Sequence, residues 1–414
     1  MRPGGGDGIF VKITLAAWGS RGEFEPLAAI GRELLKREHD VQIAVAPELL
    51  ELAETAGISA VPYGPDLQDI LNLYRDYWTC LFRTPWKVAT LKKLGDKMAR
   101  SIEQGRKTVN KALLSLADGS DLLLTGMNYE DAASNVAEYY NIPLATLHWF
   151  PMRPNTQLLP IFSKPAMTAF FWAQWKMEKA EDQQRLELGL PKATKPSAQR
   201  IAERALEIQA YDPVCFPGLA QEWDRPFVGS LAMELPTDAD DEVASWIAGK
   251  PPIFFGFGSI PVESAPHTIA MIQEVCEQLG ERALVCAGLS DFTVSDTENL
   301  KVVDAVNFAT VFPACKAIVH HGGAGTMALA LRAGVPQAIL STDINQTLWG
   351  VQIKRLKLGT SRRFSAASKK NLVKDLHAIL APEYVRRAQE VSAKMTQPSE
   401  GVAKAADLVE NYAR

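Results

Sequence analysis

Short apolar runs recur along the chain, separated by stretches in which apolar residues return at helical spacing. The first run, Ile9 to Ala16 (IFVKITLA), reads as a strand. A Gly-rich turn (Gly19-Ser20-Arg21-Gly22) follows, then a helical pattern from Pro26 to Arg37, then a second strand from Val41 to Pro47 (VQIAVAP). Strand, turn, helix and strand in that order form the unit of a parallel sheet. Asp121 to Gly126 (DLLLTG) and Ile142 to Phe150 (IPLATLHWF) read as two more strands with a helix between them. The second half restarts the pattern. Pro252 to Gly258 (PIFFGFG) is a buried strand running into a Gly-rich turn, followed by helix Thr268–Leu279 and strand Arg282–Ala287. Strands Leu300–Val303 and Ala317–His320, helix Ala324–Ala333 and strand Pro336–Leu340 complete it.

This grammar predicts an α/β protein with two doubly wound, Rossmann-like domains facing a cleft. The expected boundaries are 9–210 for the first domain, 211–236 for a linker carrying Pro213, Pro217, Pro226 and Pro236, and 237–395 for the second domain. Residues 396–414 form a last helix, read as packing on either domain, with a return to the first among the expectations. Ligands in such folds sit beyond the carboxyl ends of the strands.

Composition narrows the picture. A chain of 414 residues holds two to three domains at roughly 100–200 residues each. With 47% hydrophobic and 22% charged residues it is neither disordered, nor collagen-like, nor a coiled coil. A net charge of −4 gives no global positive field for nucleic acid. Five scattered cysteines without a CxxC pair suit neither a disulfide framework nor a zinc site, and fit a reducing compartment. No apolar run reaches the roughly 18 residues of a membrane span. A cytoplasmic location is therefore expected, and Met1 to Gly8 reads as a flexible leader.

The strongest chemical signal is Ala317-Ile-Val-His-His-Gly-Gly-Ala-Gly-Thr326. A strand ends at His320, and a helix begins near Ala324. Gly322, Gly323 and Gly325 let backbone amides approach a ligand closely, and the helix start offers unpaired N–H groups at a positive dipole end. Together they suit a diphosphate. His320 or His321 adds a side-chain donor, and the Thr326 hydroxyl another. Gly256-Phe257-Gly258-Ser259 is a second Gly turn after a strand, in which Ser259 is a further donor to phosphate.

VHHGGAGT followed by RAGVPQ resembles the donor-binding signature of the GT-B nucleotide-sugar glycosyltransferases. The likeness is to the group that holds sterol glucosyltransferases and the antibiotic and glycolipid glycosyltransferases of actinobacteria. GSRGEFEPLAAIGRELLKREHDVQIAVAP is similar to the first βα unit of that group, and FFGFGS to the first strand of its second domain. The resemblance implies inverting, metal-independent transfer of a hexose or deoxyhexose. The donor is a UDP- or dTDP-sugar, and the acceptor a hydroxyl of a lipophilic molecule such as a sterol, polyketide or glycolipid. It implies no cofactor, since the nucleotide sugar is a co-substrate. Asp240-Asp241 reads as a solvated face and not as a carboxylate pair for a metal. Helix amides and histidine must then neutralise the leaving diphosphate.

Inverting transfer needs a base. Where the family usually carries Asp in a GxRGD pattern, this chain has Glu23; Glu25, Glu130, Asp131 and His148 are the alternatives. Where the family usually has Asp-Gln against the sugar, this chain offers Asp343, Asn345 and Gln346, a departure that puts the identity of the sugar in question. Val306 and Asn307 are the expected contacts of the nucleotide base. The acceptor pocket is expected from Trp78, His148, Trp149, Phe150 and Trp172, within a segment that also holds Trp86 and Trp175. Residues 75–111 carry ten Lys/Arg against three acids, read either as a solvated helix face or as a peripheral contact with an anionic membrane. Two other readings use the same scaffold: a non-catalytic relative that binds a nucleotide sugar, and a sugar-nucleotide epimerase. A dinucleotide-dependent dehydrogenase is disfavoured, because no GxGxxG follows the first strand.

Overall fold

The computed structural model describes residues 10–155, 157, 180–258, 262, 264–288, 290, 292 and 294–414. The first domain is built on β1 (Lys12–Ala17), β2 (Asp40–Val45), β3 (Ala60–Pro62), β4 (Leu122–Thr125), β5 (Leu144–His148) and β6 (Leu206–Gln209). Its helices include α1 (Arg21–Lys36), α2 (Leu67–Arg83), α3 (Val88–Ala117) and α4 (Glu130–Tyr140). The second domain is built on β7 (Ile253–Gly256), β8 (Ala283–Cys286), β9 (Leu300–Val303), β10 (Ala317–His320), β11 (Gln337–Ser341) and β12 (Gly359–Arg363). It carries α5 (Asp240–Ile247), α6 (Ala324–Arg332) and α7 (Ile344–Arg355), and the described chain ends in α8 (Pro398–Ala413).

Both sheets are parallel, with strand orders β3-β2-β1-β4-β5-β6 and β12-β11-β10-β7-β8-β9. Counted within each domain, the two orders are the same. The order reverses between β1 and β4 in the first sheet and between β7 and β10 in the second. Those two crevices are where a doubly wound sheet holds ligand. The central strands are buried on both faces, which is why they read as near-continuous apolar runs.

Three details differ from the sequence reading. Helix α1 starts at Arg21, so Pro26 lies inside it and Glu23 falls in its first turn. Residues 211–236, read from the sequence simply as a linker, are packed. Tyr211, Phe216 and Trp223 are buried in a cluster with Phe150 of the first domain and Met327 and Trp349 of the second. Phe150 meets Trp349 edge-on at 5.3 Å, and Gln352 donates to the Cys215 carbonyl. Asp240 is not a solvated face. It accepts from the Thr237 N–H (2.8 Å), the Thr237 hydroxyl (2.7 Å) and the Asn307 N–H (2.8 Å). Partial burial raises its pKa, but these bonds outweigh that and hold it below the usual range.

The chain crosses between domains twice. Asp212 accepts from the N–H groups of Ser230 and Thr396, one in each crossing segment. Beyond the second crossing, α8 lies on α1 of the first domain. Ala405, Ala406 and Val409 enter the first domain's core, and Arg37 pairs with Asp407 (2.6 Å) and Glu410 (2.7 Å). Hydrogen bonds and apolar contacts on both crossings thus fix one edge of the cleft.

Candidate active site between two switch points

At the first crevice, Glu23 projects from the first turn of α1 across the end of β4. It is 4% exposed. A Cβ on Gly126 would overlap Glu23 Oε1 and come within 3.3 Å of the Trp149 ring, so only glycine lets the carboxylate lie there. Asn128 Nδ2 donates to Glu23 Oε2 (3.2 Å) and to the Trp18 carbonyl (3.1 Å), which fixes one carboxylate oxygen against the sheet edge. Oε1 is buried without a hydrogen-bond partner. Burial pushes the Glu23 pKa well above the usual carboxylate range, and the nearby Glu130 charge adds to this; the backbone N–H groups of Asn128 and Met127 oppose it.

The rival carboxylates are all paired with cations. Arg21 holds Glu25. Arg106 holds Asp131 at 2.5 Å. Glu130 Oε1 accepts from Arg153 at 2.6 Å and meets His148 Nε2 at 2.8 Å. Burial alone would raise Glu130, but Arg153 and His148 hold it down at about 2. Glu23 is thus the one candidate carboxylate with no cation beside it among the described residues. A carboxylate with a raised pKa and a free oxygen has the chemistry of a general base.

Glu130, His148 and Glu207 are close enough to share a metal ion. Arg153 already bridges the two carboxylates, donating to Glu130 and to Glu207 at 2.6 Å each, and Arg225 closes on Glu207. The cluster is therefore charge-compensated by guanidinium groups and does not fit a divalent cation. It also corrects the expectation for His148, which is 1% exposed and belongs to this buried network, not to an acceptor wall. Phe150 is corrected likewise, since it is buried in the interdomain cluster. Trp149 does lie beside Glu23. Trp78 is half-buried among Tyr74, Tyr77 and Phe82 on α2. Trp172, Trp175 and Ser259 lie outside the described residues.

At the second crevice, His320 ends β10 fully buried. Its Nε2 meets Gln337 Oε1 (2.8 Å) and its Nδ1 accepts from the Gly322 N–H (3.1 Å). Both nitrogens are engaged inside the domain, and burial, with the neighbouring His321, brings its pKa to about 3. His320 therefore has no free nitrogen for the side-chain donor role expected of it, which leaves His321 as the candidate. That ring lies over Gly258 at the end of β7, where a Cβ would come 2.5 Å from Cε1, and against Gly323, where a Cβ would overlap Nε2. Gly258 also has φ +69°, open to glycine without strain. Burial lowers the His321 pKa to about 4, opposed by a bond with Gly256, so the ring is neutral near pH 7.

Gly323 caps α6, whose first helical bond runs from the Met327 N–H to the Gly323 carbonyl. The N–H groups of Ala324, Gly325 and Thr326 are left without partners in the helix, at its positive end. Gly325 is exposed at this point and the Thr326 hydroxyl is partly so. A helix start of this kind can hold an anion.

The two remaining groups of expected contacts are mostly built into the protein. Asp343 caps α7 by accepting from the Gln346 N–H (2.9 Å), while Gln346 Oε1 accepts from the Thr342 N–H (2.7 Å) and hydroxyl (2.9 Å). Together these bonds close the start of α7. Burial raises the Asp343 pKa. Its charge also reaches Tyr74 of the first domain, whose pKa rises to about 12 through burial and then through that charge. Asn345 is exposed in the first turn of α7. Val306 is 3% exposed in the apolar core. Asn307 caps the short helix Phe308–Val311 and donates to the Glu234 carbonyl, so its side chain is spent on structure and does not present to a nucleotide base. Sequence reasoning missed Asn128 and Gly126. The available signal was the sequence Thr125-Gly126-Met127-Asn128 at a central strand's carboxyl end.

Residues 285–409 match the family model of the C-terminal domain of erythromycin biosynthesis protein CIII-like proteins. Over 416 residues the chain is 51% identical to an uncharacterized glycosyltransferase of Mycobacterium leprae (strain TN), covering 97% of each. Among solved structures, the glycotransferase of kitacinnamycin superposes with a TM-score of 0.75 at 16% identity, covering 98% of this chain and 100% of that one. The glycosyltransferase VinC in complex with dTDP gives 0.66 at 17% identity, covering 97% and 99%.

Proposed function

Since the chain belongs to the glycosyltransferases of GT-B fold, we propose that it moves a hexose or deoxyhexose from a UDP- or dTDP-sugar to a hydroxyl of a lipophilic acceptor. Transfer inverts the anomeric centre and uses no metal or other cofactor. The single observation that carries the reading is Glu23: a buried carboxylate with one unpartnered oxygen, on the acceptor side of a cleft whose other side is a helix start that can cradle an anion.

Glu23 Oε1 takes the proton of the acceptor hydroxyl as that oxygen attacks the anomeric carbon. The bond from the anomeric carbon to the diphosphate oxygen breaks on the opposite face. The charge that develops on the leaving diphosphate is met by the N–H groups of Ala324, Gly325 and Thr326, the Thr326 hydroxyl and the His321 ring. Gly323 leaves room for the His321 ring beside that charge, and Gly325 has open space around it. Asn345 is the sugar-facing member of its trio, and Trp78 and Trp149 line the acceptor side. VinC, of the same fold, was solved with dTDP, which supports a nucleotide diphosphate at this cradle. A lipophilic acceptor brings with it a peripheral contact with a membrane.

The test is mass spectrometry of products from a panel of UDP- and dTDP-sugars mixed with sterol, polyketide and glycolipid acceptors. A glycosylated acceptor with inverted stereochemistry is expected. Isomerised donor without transfer would instead establish an epimerase, and binding without turnover a non-catalytic relative.

A further inference from the structure

Helices α2 and α3 pack on each other as a hairpin. The buried residues of α3, namely Gly105, Val109, Leu113 and Ala117, all lie in its second half. Its first half and the turn before it therefore stand clear of the core. Residues 85–90, 92 and 93 are all exposed. Among them are Trp86 at 73% and Val88 at 69%, two of the most exposed large apolar side chains described. Between residues 84 and 93 the charges are Lys87, Lys92 and Lys93, with no acid.

We propose that this turn is a membrane-contact surface and that its occupant is an anionic lipid bilayer. An indole favours the interface between headgroups and acyl chains, where its ring is sheltered and its N–H stays wet. Lysines around it lay their methylenes on apolar surface and reach the phosphates with their ammonium groups. The charge at the tip has one sign, which complements an extended negative plane. The tip is a protruding run of exposed residues and not a groove, so it offers a peptide or folded partner little to enclose it. Trp86 thereby leaves the acceptor segment in which the sequence placed it.

The position of the tip gives the contact its purpose, and here the inference rests on the proposed lipophilic acceptor. One turn back along α2, the Phe82 ring lies under the Arg363 guanidinium at the end of β12, 4.3 Å from the ring centroid. Tyr74, earlier on the same helix, is near enough to the second domain to feel the charge of Asp343. The helix that leads to the tip thus borders the cleft. Docking the tip sets the cleft mouth beside the bilayer, where a lipophilic acceptor is concentrated.

The full chain is sedimented with vesicles of phosphatidylcholine alone, and of phosphatidylcholine mixed with phosphatidylglycerol, at low and high salt. Binding to the mixed vesicles at low salt, with little to the neutral ones, is expected. The triple variant K87Q/K92Q/K93Q should bind roughly 100-fold more weakly, at about 1 kcal/mol per lysine near the surface. Trp86→Ser should weaken binding at both salt concentrations. Wild-type protein that ignores the mixed vesicles, or variants that bind as wild type does, would overturn the proposal. Calorimetric binding of dTDP, which reads the helix start at Ala324–Thr326 and not the tip, should be the same in all variants. Absence of dTDP binding in the wild type would instead count against the proposed donor and leave the vesicle result standing.

Discussion

Glu23 lies directly over Gly126, and Asn128 pins one of its carboxylate oxygens while the other is left without a partner. The pairing explains why a residue of the first helical turn, where an acid ordinarily serves the helix dipole, is turned inward instead. Glu23→Gln preserves size and hydrogen bonding to Asn128 and removes basicity. Turnover should fall about 10²–10⁴-fold, the range for a positioned base, while dTDP affinity measured by calorimetry stays the same. A collapse of both would mean that Glu23 is structural.

The two crevices repeat one device: a side chain that follows one central strand covers a glycine that follows its neighbour. Glu23 covers Gly126, and His321 covers Gly258. Adding a methyl group at each should therefore separate the two halves of the reaction. Gly126→Ala should lower turnover by displacing the carboxylate and leave dTDP binding intact. Gly258→Ala should weaken dTDP binding, because it displaces His321 and strains a backbone at positive φ. Steady-state kinetics and calorimetry on the pair check this. Identical losses in both variants would refute the division.

The sequence disclosed the fold through its central strands, whose two buried faces leave near-continuous apolar runs such as IFFG and AIVH. It disclosed less at the edges. β12 (GTSRR) pairs only with β11 and is polar, and β3 (AVP) is three residues long, so neither gives a periodic signal. The glycines of the donor loop were readable because their chemistry is local. The choice between His320 and His321 was not, since it depends on Gln337 from the next strand, which takes up His320. Glu23 was readable by its place in the turn, but Asn128 stands 105 residues away and becomes its partner only through the β1–β4 pairing. Asp343 and Gln346 were read as ligands, and their part in closing the start of α7, on Gln346 N–H and on Thr342, appears only once that helix is drawn.

The adjacent histidines should respond to substitution in opposite ways. His321→Ala removes a donor at the cradle and should lower turnover by about 10²–10³-fold with the melting temperature nearly unchanged. His320→Ala strands the buried Gln337 side chain and the Gly322 N–H. Each unsatisfied group costs about 1–3 kcal/mol, so this variant should show a clear fall in melting temperature. If the His320 variant stays stable and loses only turnover, the donor assignment reverts to His320.

Glu130, His148 and Glu207 have the proximity of a metal site but are bridged by Arg153. Dialysis against EDTA should therefore leave activity unchanged, and added Mg²⁺ or Mn²⁺ should not raise it. Arg153→Met should destabilise the protein by about 3–5 kcal/mol, the range for removing one partner from a buried ion pair. A strict divalent-cation requirement would show that the cradle of helix amides does not suffice for the leaving group.

The raised pKa of Glu23 ties stability and activity to the same pH window, with opposite signs. Its proton is held more tightly in the folded chain than in the unfolded one, where the reference is about 4.3. The stabilisation this gives is complete below that reference and is lost as pH rises through the folded pKa, because above it a charge is buried without a cation. Glu23→Gln buries no charge, so its melting temperature should exceed that of the wild type at pH 8. That advantage should shrink on acidification and vanish below about pH 4. Activity of the wild type runs the other way: kcat/KM should rise with pH as Glu23 ionises. Asn128→Ala removes a hydrogen bond that favours the ionised carboxylate, so it should move this acid limb to higher pH. Scanning calorimetry and pH–rate profiles on the three proteins read both quantities. A melting-temperature difference between wild type and Glu23→Gln that does not vary with pH would mean that Glu23 never carries a buried charge, and so cannot be the base.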